Sequence, residues 1–188
     1  MPAATERRSA NSLSKFLAGL QAGMVGVWWM LGWMGASAVW QRQSFWTPEN
    51  LMASVFYGNA AIRRGFAAGT VSGLALYVLL YSLLGAGFAM AAGGRLPRLR
   101  LALAGMAFAW CWYYAAFHLA AKTISPLVAL LDTERTTFLG HAIYGALLAR
   151  FPMYLPHAGE PPVAREQERE SSVGEAGGPE SDPKAPEV

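Results

Sequence analysis

The chain has 188 residues, of which 54% are hydrophobic and only 14% are charged. A soluble domain usually carries about 25% charged residues, so this composition argues against an ordinary soluble globular protein. The formal net charge of +3 combines an acidic tail after Leu155 with a basic remainder, and no compact basic patch favours nucleic acid as a partner. The single cysteine, Cys111, excludes an internal disulfide and any CxxC site.

The first predicted element is a long apolar helix. Residues 1–15 are polar, and we predict a disordered N-terminus there. Phe16 to Trp40 follow without a charged side chain and are long enough, at about 1.5 Å per residue, to cross a bilayer. An arginine pair at 7–8 and an Ala-Ser-Ala at 36–38 resemble parts of a signal peptide. The apolar run exceeds the about 7–15 residues of a signal h-region, however, which favours a transmembrane helix.

The segment from 41 to 65 contains signals for a short helix. Thr47 is a capping residue type, Pro48 suits the first helical position, and Glu49 supplies an acid in the first turn. Apolar residues then recur at helical spacing up to Gly58. About ten residues cannot span a bilayer. We therefore predict a short helix that lies in the interface or is tucked among the ends of a helix bundle.

Three further apolar runs predict three more transmembrane helices, at residues 66–92, 101–121 and 136–155. The last is the weakest, because Arg150 and Pro152 interrupt it. An arginine near the bilayer centre costs ~2.5–3.5 kcal/mol on insertion scales, but Arg150 is close enough to the end of the run to reach the headgroups. The sequence thus predicts an all-α polytopic membrane protein with four transmembrane helices between residues 16 and 155, plus the short interfacial helix.

The flanking charges predict the orientation. Nine Lys and Arg residues lie on the side of the two termini and five on the other side, which favours both termini in the cytoplasm and an inner-membrane location. Residues 156–188 are rich in Pro, Glu, Gly and Ser. They have too few apolar side chains to offset the entropy of ordering, so we predict a disordered acidic cytoplasmic tail.

Small residues recur every four positions on the first two predicted spans, a pattern that lets helix backbones approach closely in lipid. They are Gly19 and Gly23 on the first span and Gly65, Gly69 and Gly73 on the second, where Tyr77, Tyr81 and Gly85 continue the register. We interpret this pattern as a helix–helix contact, within one chain or between two. The alternative is a ligand groove lined by Tyr77 and Tyr81.

Few groups at membrane depth can titrate or bind a ligand. His118 lies near the end of the third span and His141 near the start of the fourth, so a helical hairpin would place both near the outer face. Together with Tyr144, Asn50 and Arg63 they form a candidate polar cluster at an outer mouth. Two imidazoles could hold a haem iron or relay a proton. We favour the interpretation that each is an interfacial histidine bonded to a carbonyl, a tyrosine or water, so we predict no cofactor, no metal and no catalytic residue.

Several classes of protein are discounted. No predicted span carries an acid, which counts against a proton-coupled antiporter that depends on an intramembrane carboxylate. The motifs GxxxxGK[ST], HExxH and GxSxG are missing from the sequence.

The stretch SFWTPENLMASVFYG at 44–58, between a Gly/Trp-rich first span and a GxxxG second span, and the HxxYG at 141–145 are distinctive. They resemble a group of small bacterial inner-membrane proteins of unknown function, loosely of the YagU type. The resemblance covers roughly residues 16–150 and implies a four-span membrane protein, with no catalytic residues to carry over.

Three functional hypotheses remain open. The first is a non-enzymatic structural or accessory protein that associates with itself or with a larger membrane complex. The second is a small transporter or channel with a polar outer mouth. The third is a haem- or quinone-linked redox subunit.

Overall fold

The structure, a computed structural model, describes residues 2–62, 65–93, 96–116 and 134–155, with side chains from residue 11 onward. These ranges are mainly helical and contain no strand, which confirms the all-α fold class. The helices are α1 (Pro2–Trp40), α2 (Thr47–Tyr57), α3 (Ala68–Ala92), α4 (Arg98–Ala115) and α5 (Glu134–Leu148), with 3₁₀ turns at Gly58–Ala61 and Phe151–Tyr154. One compact unit ends at Leu155. The predicted acidic tail, 156–188, lies outside the described residues.

The starts of α1 and α2 differ from the sequence-based expectation in ways that have a local cause. Helix α1 begins at Pro2 rather than Phe16, because residues 3–15 contain strong helix formers and no glycine or proline that would stop the helix. The N-cap of α2 is Trp46, not Thr47. The Thr47 hydroxyl donates backwards to the carbonyl of Ser44 at 2.7 Å, so it stabilises the turn before the helix instead of capping α2.

The fourth predicted span is not one continuous helix. Helix α5 ends at Leu148, and a 3₁₀ turn follows at Phe151–Tyr154. The position of Pro152 explains this, because a proline ring clashes with the carbonyl four residues earlier and provides no N–H for the helix. That carbonyl belongs to Leu148, the last residue of α5.

Three pairs of the long helices pack antiparallel. Gly19 of α1 lies against Ala89 of α3, and Gly23 lies against Tyr81, so the two helices run in opposite directions. Helices α1 and α5 are also antiparallel, as are α4 and α5. Their paired contacts are Gly26 with Tyr144, Trp33 with Thr136, Gly105 with Gly145, and Trp110 with Phe138. The core between these helices includes Val27, Met30, Leu101, Leu148 and Phe151.

Two helices of the described part are long and apolar enough to cross a membrane. They are Asn11–Trp40, with 30 residues, and Ala68–Ala92, with 25 residues. Helix α4 has 18 residues but begins with Arg98 and Arg100, and α5 has only 15 residues. The third predicted span continues to residue 121, beyond the described residues.

Candidate functional site

His141 of α5 lies in the interior of the bundle, 4% exposed, and both of its ring nitrogens are engaged. Nδ1 is 2.7 Å from the carbonyl of Thr137, one turn earlier. A carbonyl only accepts, so Nδ1 carries the proton and donates it. Nε2 is 2.7 Å from the hydroxyl of Tyr81 on α3. In a neutral ring with its proton on Nδ1, Nε2 accepts from that hydroxyl.

A second bond joins the same two helices. The hydroxyl of Tyr144 donates to the backbone carbonyl of Tyr81 at 2.6 Å, and the two rings meet edge to face with centroids 5.0 Å apart. The Tyr113 ring of α4 lies 5.0 Å from the His141 ring. We call Tyr81, Tyr113, His141 and Tyr144 the tyrosine–histidine cluster. It joins α3, α4 and α5 through buried polar groups.

Glycines allow the cluster to form. A Cβ at Gly26 would lie 2.8 Å from the ring of Tyr144, and a Cβ at Gly23 would lie 2.6 Å from the carbonyl of Tyr81. Because both positions are glycine, the backbone of α1 lies against the two tyrosines at these positions, with no side chain in between. Gly105 and Gly145 face each other with backbone contacts too short for any side chain. Gly105 was not among the glycines that we predicted to mediate helix packing. Its position within an apolar run was the available signal.

The five glycines predicted to mediate helix packing divide into three kinds. Gly19, Gly23 and Gly73 lie at crossings where a Cβ would meet backbone or a side chain of another helix. Gly69 is 3.8 Å or more from its nearest neighbours, an ordinary contact. Gly65 lies before α3, has a positive φ of 142° and has no neighbour within 4 Å of a built Cβ. Gly65 is therefore a loop glycine and not a packing position.

Asn50 belongs to a separate polar group where α2 meets the start of α3. Its Nδ2 donates to the carbonyl of Gly65 at 3.1 Å, and its Oδ1 accepts from the Thr70 hydroxyl at 2.5 Å. The N–H of Ala67 in turn donates to Thr70 Oγ1 at 2.9 Å, which satisfies a donor at the first turn of α3. We call Asn50, Gly65, Ala67 and Thr70 the α2–α3 junction. Its bonds hold the short helix on the long one.

The structure does not unite the predicted polar cluster. Tyr81 is the fourteenth residue of the 25-residue α3, so its partners His141 and Tyr144 lie at mid-helix and not at an outer mouth. Thr70, the partner of Asn50, lies eleven residues before Tyr81, which is about 16 Å along a helix axis. His118 and Arg63 lie outside the described residues, so their place in a cluster stays a prediction.

The described ranges contain no group of three or more His, Cys, Asp or Glu side chains that could hold a metal ion. His141 also does not offer a lone pair to iron, because Nδ1 donates to Thr137 and Nε2 accepts from Tyr81. An axial haem bond would require the Tyr81 bond to break first.

Two open grooves occur on the surface of the described part, and neither is lined by the tyrosine–histidine cluster. One, of about 420 Å³, is lined by Trp28, Trp29, Gly32, Trp33 and Ile143. The other, of about 340 Å³, lies beside the α2–α3 junction and is lined mainly by alanines and by Tyr57. Their walls are aromatic and aliphatic, which suits hydrocarbon better than a charged substrate.

The sequence matches no family model, and no curated protein or solved structure is similar to it at a significant level. The resemblance to small YagU-type membrane proteins therefore stays a prediction. Any function has to be inferred from the geometry of the chain itself.

Proposed function

We propose that this chain is a multi-pass inner-membrane protein that acts as a structural or accessory component and associates with itself or with a larger membrane complex. In this proposal α1, α3, α4 and α5 cross the bilayer, and α2 lies outside the spans at one end of the bundle. The supporting observation is that large apolar side chains are exposed on the outward faces of all four long helices.

These helices carry apolar side chains on their exposed faces as well as on the faces that are buried in the bundle. On α1, Trp29 is 65% exposed and Trp40 is 91% exposed; on α3, Leu79 is 59% exposed. The others include Leu17, Met24, Trp28, Val71, Leu83, Met90, Leu103 and Leu139. A soluble monomer rarely exposes contiguous apolar patches beyond a few hundred Å². Helices that are apolar on every face are typical of a membrane span.

The helix directions and lengths support four crossings. The antiparallel pairs α1–α3, α1–α5 and α4–α5 are those of a chain that crosses alternately up and down. The 18 residues of α4 extend about 27 Å. The 15 residues of α5 and the four of the following 3₁₀ turn together extend about 30 Å. These lengths match the ~30 Å hydrocarbon core.

The interior supports a structural role. Within the tyrosine–histidine cluster, Tyr81, His141 and Tyr144 bond to one another and to helix carbonyls, and the glycine crossings bring backbones into contact. In lipid, close packing and interhelical hydrogen bonds replace the hydrophobic effect as the forces that join helices. The transporter alternative is less favoured, because Asn50 and His141 belong to separate polar groups and form no common mouth.

Expression of the full chain allows both the membrane assignment and the association to be tested. We expect the protein to remain in the membrane pellet after alkaline carbonate extraction. We also expect crosslinking in native membranes and sizing in mild detergent to give species larger than the monomer. A protein that is freely soluble without detergent would refute the membrane assignment. Membrane insertion with only monomer in both sizing experiments would refute the association.

A further inference from the structure

Glu49 is an isolated acid in an apolar environment. No other Asp or Glu occurs between residues 7 and 131, and the Glu49 side chain is 1% exposed. It lies in the first turn of α2. This burial is unusual, because glutamate is almost never fully buried without a partner.

The backbone of Glu49 is held against α3. Its carbonyl oxygen contacts Gly73 so closely that no side chain could be added at position 73. The next residue, Asn50, is bonded to Thr70 and to Gly65. The backbone of the first turn of α2 therefore cannot move away from α3 without losing these contacts.

The two carboxyl oxygens of Glu49 differ. The residue's own backbone N–H donates to the carboxyl. Oε2 is buried and has no hydrogen-bond partner. A buried carboxylate with an unmet oxygen is strongly destabilising unless a cation or a proton neutralises it.

The elements that pack on α2 offer no cation within the described ranges. These elements are α1, α3 and the 3₁₀ turn at Gly58–Ala61. Helix α3 carries no charged residue, and its titratable groups are Tyr77 and Tyr81. Helix α1 has no charged residue after Lys15, and α2 itself has only Tyr57 as a further titratable group. The nearest described base along the chain is Arg42, which is exposed.

We propose that Glu49 is a proton-binding site: a neutral carboxylic acid at pH 7 that releases its proton only when the first turn of α2 separates from α3. Proton occupancy is thereby coupled to the attachment of the short helix. The coupling follows because the ionised carboxylate needs water, and only detachment of that turn admits water. Burial also raises the pKa of the Glu49 carboxyl, in the direction that protonation requires.

Infrared spectroscopy of the full-length protein in lipid vesicles tests the protonation. We expect a carbonyl band from a protonated carboxylic acid at pH 7, which is lost in Glu49→Gln and retained in Glu134→Gln. Glu134 is the matched control, because it lies in the first turn of α5 and is exposed. A wild-type spectrum at pH 7 without this band, or a band that persists in Glu49→Gln, would overturn the proposal. If the variant fails to fold, a wild-type spectrum without the band still overturns the proposal.

Hydrogen exchange tests the coupling. After correction for the intrinsic pH dependence of exchange, the α2 amides of the wild type should exchange faster as the pH rises above 7, relative to those of mid-α3. The pH dependence should disappear in Glu49→Gln. Equal pH dependence in the wild type and the variant, or none in the wild type, would refute the coupling.

Discussion

Replacing Gly85 by alanine adds one carbon atom at the crossing of α1 and α3 and so tests how closely these helices pack. A Cβ at this position would lie 2.5 Å from the carbonyl oxygen of Gly19 and 2.7 Å from the Cα of Gly23. Both obstacles are backbone atoms, which no rotamer change can move. Gly87 lies two residues further along α3, and a Cβ there meets nothing within 4 Å. It is the matched control.

The magnitude follows from the distance. Ordinary contact begins near 3.4 Å, so α1 has to retreat by the difference from 2.5 Å, which is 0.9 Å. A gap of about 0.5–1 Å forfeits a quarter to a half of the dispersion attraction across the contact, and overpacking of this kind costs about 1–3 kcal/mol. Gly87→Ala has no such cost and gains up to about 1 kcal/mol of helix propensity.

The assay is unfolding of the purified protein in mixed micelles, followed by circular dichroism as SDS is added. Both variants gain the same helix propensity, so we expect the free energy of unfolding of Gly85→Ala to be about 1–3 kcal/mol below that of Gly87→Ala, which should equal or slightly exceed that of the wild type. Equal stability of the two variants would refute the crossing geometry.

Three further predictions concern the buried polar groups. Tyr81→Phe leaves His141 Nε2 without its donor and should lower the free energy of unfolding in the SDS assay by about 1–2 kcal/mol; no change would contradict the assigned bond. Thr70→Val removes the bonds to Asn50 and Ala67, so hydrogen exchange in the first turn of α3 should accelerate several-fold, and unchanged protection would count against the junction. For Glu49, the pKa in the folded protein lies above the ordinary value of 4.5. The contribution of this carboxyl to the free energy of unfolding is therefore fully present below pH 4.5 and is lost as the pH rises toward the folded pKa. Glu49→Gln should therefore be more stable than the wild type at pH 8, and this advantage should shrink as the pH falls toward 4.5 and be absent below that value; an advantage that does not change with pH would contradict the burial of an ionisable carboxyl.

Local signals in the sequence were sufficient to predict α2. Pro48 near its start and an apolar pattern that stops before Gly58 are short-range features, and the helix observed is Thr47–Tyr57. The end of α5 at Leu148 was also accessible from the sequence, since the clash of Pro152 with the carbonyl four residues earlier is a local rule. We predicted a continuous span there because the hydropathy of the run was given more weight than the proline.

Contacts between helices were not accessible in the same way. The sequence analysis located His141 by counting from the expected start of a span, which put it near a membrane surface. Its actual level is set by where α5 crosses α1 at Gly26 and meets Tyr81 of α3. The burial of Glu49 likewise depends on Gly73, 24 residues later in the chain. The sequence identified Glu49 only as a first-turn acid.

The central claim is that α4 crosses the bilayer as α1 and α3 do, and labelling of single cysteines placed beyond the ends of α3 and α4 tests it directly. In a Cys111→Ser background, Gln43→Cys, Leu96→Cys and Arg135→Cys each place one thiol at an exposed position beyond or near a helix end. An impermeant maleimide added to intact cells should label positions 43 and 135, and should label position 96 only after the membrane is opened. Labelling of positions 96 and 135 from the same side would contradict four crossings.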